Sequence, residues 1–443
     1  MNKLLLCIIS CFGLVFQAEA MLFKAEEFTL DNGLKCVVVE NHKAPIVKHM
    51  VWYKTGAVYE QAGKGGLAHL LEHLMFRGTS RLEDGKLNKI LENNGVVSNA
   101  FTSYNVTAYH QLTDVSRLEA VMALEADRME NLNFNQEAFE AERKIVFQER
   151  MQVVENNPAS PFRERLQAMQ WGNSPYARPV TGQNADILGL SYDDAMNFYQ
   201  RYYAPNNAIL ILSGDIDVKT ARELAIKYYG NIKPKELVTP NISGVADKFE
   251  QTLKMRVSGI NAPRLSISYM LPSAQELADK IYAFIVLDAY LGSGETSALY
   301  RDMVINKRQM LSVSTNYEFW YKTNSVFSFT MLPYSNTEDE GFAQLEKAVS
   351  AAMQNFDAEK LAQTKRKIIA DLVYVNDNPA DAAYWIGEMM TSGFELNEIQ
   401  QYEDKINGVS WQDVNEAFNM LKSAAVTKGI MLPATENNGG SND

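Results

Sequence analysis

The sequence predicts an α+β fold made of two structurally similar domains, each a mixed or antiparallel sheet packed with helices. Three observations carry this. Short alternating apolar runs and helical segments in residues 21–231 do not follow the strict βαβ alternation of a doubly wound sheet. Residues 232–246 turn polar and carry Pro234, Pro240 and Gly244, which marks a linker. Residues 247–435 then read as a degraded second copy: Asn261-Ala262-Pro263, followed by alternating Leu265, Ile267 and Tyr269, echoes His42-Lys43-Ala44-Pro45 and its strand.

A chain of 443 residues that is 46% hydrophobic can bury sizeable cores. The net charge of −12, with no basic block, argues against nucleic acid as a partner. Residues 1–20 combine Lys3, an apolar run and Ala18-Glu19-Ala20, the pattern of a secretory signal peptide. The expected protein is therefore exported, to the periplasm foremost, with no membrane span in the mature chain; secretion or an uncleaved anchor are the alternatives. Cys7 and Cys11 leave with the leader, and Cys36, among Leu34, Val37, Val38 and Val39, reads as a small core residue.

In chain order, residues 28–30 and 34–40 read as a hairpin turning at Asn32-Gly33, and 46–53 as the next strand. Residues 85–94 are helical. Residues 96–104 and 106–112 form a second strand pair, and 116–131 and 136–155 are helices. Further helices at 161–169 and 191–203, a strand at 208–213 and a helix at 218–229 complete the first half. His42, His49 and His110 read as structural or solvated. Residues 436–443, rich in Asn, Gly and Ser, read as a disordered tail.

The chemistry concentrates in residues 67–74, an amphipathic helix entered through Gly65-Gly66. His69, Glu72 and His73 form an H-x-x-E-H pattern, the inverted zinc motif. At about 100° per residue the two imidazoles lie one turn apart on one face with Glu72 beside them. Leu67, Leu70, Leu71 and Leu74 take the other faces, and two of only five histidines fall here. Two neutral imidazoles can hold one zinc while a carboxylate faces the metal's open position. A five-residue pattern alone is equally compatible with an ordinary amphipathic helix. A third ligand has to come from another rigid element. The 136–155 helix carries Glu142 and Glu149 two turns apart on one face, with Ile145 and Val146 expected to mark its buried side. A carboxylate beside such a stripe needs a charge partner. By pattern alone, solvated helix carboxylates are the commoner reading for both.

Together with Leu30-Asp31-Asn32-Gly33-Leu34, Ala44-Pro45, Asn99-Ala100-Phe101-Thr102 and Asn157-Pro158, these residues resemble the pitrilysin/insulinase family of inverted zincin metallopeptidases, in the short two-domain branch that includes mitochondrial processing peptidase. The resemblance implies two domains facing each other like a clam shell, the first catalytic and the second without a metal site and closing over substrate. It implies that His69, His73 and Glu149 bind one Zn2+, that Glu72 is the general base of an endopeptidase, and that Glu142 supports the site from behind its ligands. It also implies that Asn99, Ala100, Phe101 and Thr102 lie at a sheet edge and pair with the backbone of extended or unfolded peptides. Without the resemblance that stretch reads as an ordinary interior strand.

One departure from the family stands out. Relatives that act as single chains often carry an Arg and a Tyr in a stretch like Leu299 to Ser312, where register matching here places Val304 and Leu311. Neither side chain can donate a hydrogen bond. Arg301 or Arg308 could serve after a register shift. The main expectation is a heterodimer with a paralogous subunit that supplies the Arg/Tyr pair, with a homodimer as the alternative. Rival readings are a non-catalytic assembly subunit of the same fold and, more weakly, a metal-buffering or metal-sensing protein, which would not need Glu72.

Overall fold

The structure is a computed structural model that describes residues 23–245, 250–334 and 338–434. The signal peptide expected at 1–20, the tail expected at 436–443 and the last residue of the expected 232–246 linker lie outside the described residues.

The hairpin is β1 (Ala25–Thr29) and β2 (Lys35–Glu40). Its turn requires Gly33 at φ +85°. It is tied down by the Asn32 amide, which donates to the Tyr229 and Ile232 carbonyls at 2.7 and 2.9 Å. β3 (Ile46–Tyr53), β4 (Val97–Thr102), β5 (Thr107–Asp114) and β6 (Ala208–Gly214) complete a six-stranded sheet of order β1-β2-β6-β3-β5-β4. Its helices are α1 (Leu67–Leu74), α2 (Lys86–Asn93), α3 (Leu118–Asn131), α4 (Gln136–Glu155), α5 (Ser160–Trp171), α6 (Asn184–Leu188), α7 (Tyr192–Tyr202) and α8 (Val218–Tyr229). The second sheet, β7 (Glu250–Val257), β8 (Arg264–Pro272), β9 (Met310–Glu318), β10 (Asn324–Pro333) and β11 (Ala425–Pro433), has the order β7-β11-β8-β10-β9. With it come α9 (Ala274–Leu277), α10 (Lys280–Leu291), α11 (Glu338–Gln354), α12 (Ala358–Asp377), α13 (Pro379–Thr391), α14 (Leu396–Gln400), α15 (Tyr402–Gly408) and α16 (Trp411–Leu421). The sequence pattern left α6 unmarked and, in the second half, β7, β9, β10, β11, α9 and α11–α16.

The echo between the halves is a repeat of topology. The order β2-β6-β3-β5-β4 returns as β7-β11-β8-β10-β9, with the first pair parallel in each and every other pair antiparallel. Strand alternation sorts the side chains of β3. Val47, Val51 and Tyr53 enter the core beneath α1, α3, α7 and α8, whereas Met50 and Trp52 enter a core shared with the second half. That second face is covered by α13, which packs on β3, β6 and β2. Reciprocally, α5 packs on β7 and β11 through Phe162 and Leu166. Each half therefore gives a helix to the other's sheet.

One expectation needs correction. Val146 is fully buried, but Ile145 is 38% exposed. Val146 and Ile145 flank the Glu142/Glu149 line by about 50° on opposite sides, so helical spacing does not choose between them; packing against the first-half core buries the Val146 side and leaves the Ile145 side facing outward.

The exchange depends on close backbone approach. A Cβ at Gly387 of α13 would lie 2.1 Å from Trp52 Cε2, in a ring that is itself buried. Gly387→Val should cost about 1–3 kcal/mol in denaturant unfolding through this overpacking, and an unchanged midpoint would show that α13 can lift without penalty.

Candidate metal centre

α1 begins at Gly66, held at φ +86°, where a Cβ would meet the Thr181 carbonyl oxygen at 2.8 Å. With no side chain at its own N-cap, the helix is capped from a distance. The buried Glu60 carboxylate accepts from Gly66 N at 3.1 Å and Ala68 N at 2.8 Å. Burial pushes Glu60 up to about 8, against the pull of these two bonds. Leu67, Leu70, Leu71 and Leu74 are all buried and fix the rotation of the helix. This leaves His69, Glu72 and His73 on the side facing α4 and β4.

The Nε2 atoms of His69 and His73 lie 3.9 and 3.5 Å from Glu149 Oε2. Donor atoms from the three residues all lie within 4.8 Å of one another. Ligands of one tetrahedral ion with bonds of about 2.1 Å would stand about 3.4 Å apart, so two imidazole nitrogens and one carboxylate oxygen fit a zinc with a fourth position open. Burial and the neighbouring His73 push His69 down to about 4, which keeps that imidazole neutral as a ligand must be. The His69 Nδ1 is buried without a partner among the described residues.

Glu142 stands behind the donors. Its Oε2 is 3.1 Å from His73 Nδ1, and its Oε1 accepts from Arg77 Nε at 2.5 Å. Burial works to raise Glu142, but the His73 bond and the Arg77 guanidinium outweigh it and hold the carboxyl below its usual value. For His73, burial opposes protonation, yet the bond to Glu142 and the charges of Glu149, Glu142 and Glu72 raise it overall. Such a carboxylate fixes the ring and its tautomer.

Glu72 shares α1 with the two imidazoles. Burial raises its carboxyl above the ordinary value, against a 2.6 Å hydrogen bond donated by Thr102 Oγ1. Thr102 ends β4, and β4 is the outermost strand, with no described strand beyond it. Asn99, Ala100, Phe101 and Thr102 thus lie on a free edge beside the cluster. The remaining histidines are elsewhere: His42 bonds Asp215, His49 is buried between Gln111 and Tyr229, and His110 faces Lys48.

Val304 lies in a π-helical turn (Tyr300–Asn306), half-buried against the core, and Leu311 is exposed on β9. Arg301 and Arg308 are exposed and have no hydrogen bond or ion pair to the four motif residues among the described residues. Sequence reasoning missed Arg77 and Glu60. Arg77 lies in the turn beyond the end of α1 and reaches Glu142 across to α4, so spacing along the chain carried no signal for it, and nothing in the pattern distinguished Glu60.

Two family models match the chain: Insulinase (Peptidase family M16) over residues 35–184 and Peptidase M16 inactive domain over 189–368. The zinc protease PqqE of Helicobacter pylori is 28% identical over 427 residues, covering 94% of this chain and 95% of that protein. The probable mitochondrial-processing peptidase subunit beta of Schizosaccharomyces pombe is 24% identical over 413 residues, covering 90% and 88%. The crystal structure of a protease from Helicobacter pylori matches with a TM-score of 0.84 at 27% identity, over 93% of this chain and 100% of that one.

Arg77→Met would leave the Glu142 carboxylate with His73 alone. Zinc affinity, measured by competition with a chromophoric chelator, should fall about 10–100-fold; unchanged affinity would remove Arg77 from the support of the site.

Proposed function

Because this chain belongs to the insulinase family of peptidases, family M16, and is a zinc metallopeptidase, we propose that it is an endopeptidase for extended or unfolded peptides, working as the metal-bearing subunit of a two-subunit enzyme. The observation that carries this reading is the convergence of His69, His73 and Glu149 beside a Glu72 on the same helix. In it, His69, His73 and Glu149 would hold one zinc, and Glu142 would keep His73 oriented. The ion supplies positive charge that polarises the substrate carbonyl and acidifies water.

Glu72 takes a proton from the attacking water and passes it to the leaving amine nitrogen as the C–N bond breaks. Its raised pKa suits both halves of that task. The free edge of β4 offers backbone N–H and C=O groups to an added strand, which selects for extended chain rather than for particular side chains. What this chain lacks is a pair of donors at Val304 and Leu311 for the charge that builds on the carbonyl oxygen. A paralogous chain supplying Arg and Tyr would complete the site; after a register shift, Arg301 or Arg308 would replace the missing Arg alone. The leader at 1–20 supports export, with the periplasm as the compartment.

Glu72→Gln should retain zinc by metal analysis and lose peptide cleavage by about 10²–10⁴-fold, whereas Glu149→Ala should lose zinc itself. Substantial turnover by the Gln variant would take Glu72 out of the reaction. The subunit reading is tested by assaying an unstructured peptide with the purified chain alone and again with a paralogue that carries Arg and Tyr but no H-x-x-E-H. Full activity alone would overturn it.

A further inference from the structure

The hydroxyl of Thr102 makes the only hydrogen bond to the Glu72 side chain among the described residues, at 2.6 Å. Its second neighbour is Thr107 Oγ1 at 3.4 Å, across the β4–β5 pair, where Thr102 and Thr107 are directly opposed. Thr107 is fully buried and its own proton is committed to the Thr55 carbonyl at 3.1 Å. Thr107 can therefore only accept from Thr102.

A hydroxyl carries one proton and two lone pairs. Facing a Glu72 carboxylate, Thr102 donates to it. Facing a protonated Glu72, Thr102 can turn its hydrogen to Thr107 and accept from the new carboxylic acid. No other described side chain hydrogen-bonds Glu72, so nothing else there fixes the orientation of its carboxyl. From this geometry we infer that Thr102 is a positioning residue for Glu72, a hydroxyl rotor backed by Thr107 that keeps the carboxyl in one orientation before and after it takes up a proton.

The balance is simple. The transferred proton travels from water to Glu72 to the amine nitrogen, and Thr102 retains its own proton throughout, changing only its acceptor. The placement adds a consequence: Thr102 belongs to the strand whose open edge would receive the substrate backbone, so the residue that orients Glu72 also lies where the peptide docks.

The inference rests on the proposed role of Glu72, and the test separates the two. Thr102→Val keeps the β-branched shape and removes the hydroxyl; Thr102→Ser restores it. Zinc content should match wild type in both. In cleavage of an unstructured peptide, with the paralogue added if the chain needs it, Thr102→Val should lose about 10–100-fold in kcat with KM within about twofold, and Thr102→Ser should recover most of the loss. A Val variant with wild-type kcat, or a Ser variant no better than Val, overturns the rotor and leaves the peptidase reading intact. If wild type itself cleaves nothing, the peptidase reading fails and crystal structures of zinc-loaded wild type and Thr102→Val decide the rotor. A Glu72 carboxylate displaced or split between rotamers in the variant supports it, and an unmoved carboxylate overturns it.

Discussion

The apposition of α1 and α4 is the constraint on which the rest of this structure depends. Neither helix holds three metal donors; the cluster exists only because the His69 and His73 face of one meets the Glu149 face of the other. Apolar burial sets the rotation of each helix, through Leu67, Leu70, Leu71 and Leu74 on α1 and Val146 on α4. Direction comes from the polar contacts, because a buried Glu142 without His73 and Arg77 would be an uncompensated charge costing several kcal/mol. The leucines seat α1 in the core while the His73–Glu142–Arg77 chain fixes the register of the seam.

The two halves show how one topology can carry different chemistry. Their strand orders coincide, yet every histidine of the chain lies before residue 111. In α10, where the register of the repeat puts the counterpart of the motif, Leu287 and Leu291 are fully buried. There the helix spends its inward positions on core packing rather than on ligands. The second half is still not a separable appendage, since α13 roofs the first sheet and α5 roofs part of the second. The Met50 and Trp52 face of β3 would be exposed if the second half left.

Much of this was legible in sequence. Strand and helix periods located β3, α4 and α8 to the residue, because long amphipathic or fully apolar segments leave little freedom of assignment. β7, whose side chains mostly alternate between exposed and half-buried, carries too little apolar contrast to be noticed. The misplacement of Ile145 shows the limit in detail: two adjacent apolar residues cannot both face a seam that is one helix face wide.

By itself the sequence determined the α+β class, the repeat, and the local grouping of His69, Glu72 and His73, since these follow from periodicity and spacing along one element. It could not bring Glu149 to the imidazoles, aim Glu142 at His73 and Arg77 at Glu142, cap α1 with Glu60 or set Thr102 against Glu72. Those contacts join residues 6 to 80 positions apart, and their distances are decided by how helices and strands pack rather than by anything the chain says locally. Tertiary structure alone also decided that β4 is an edge: the same six residues would read identically with a neighbour on either side, and only the order of strands in the completed sheet leaves one side free.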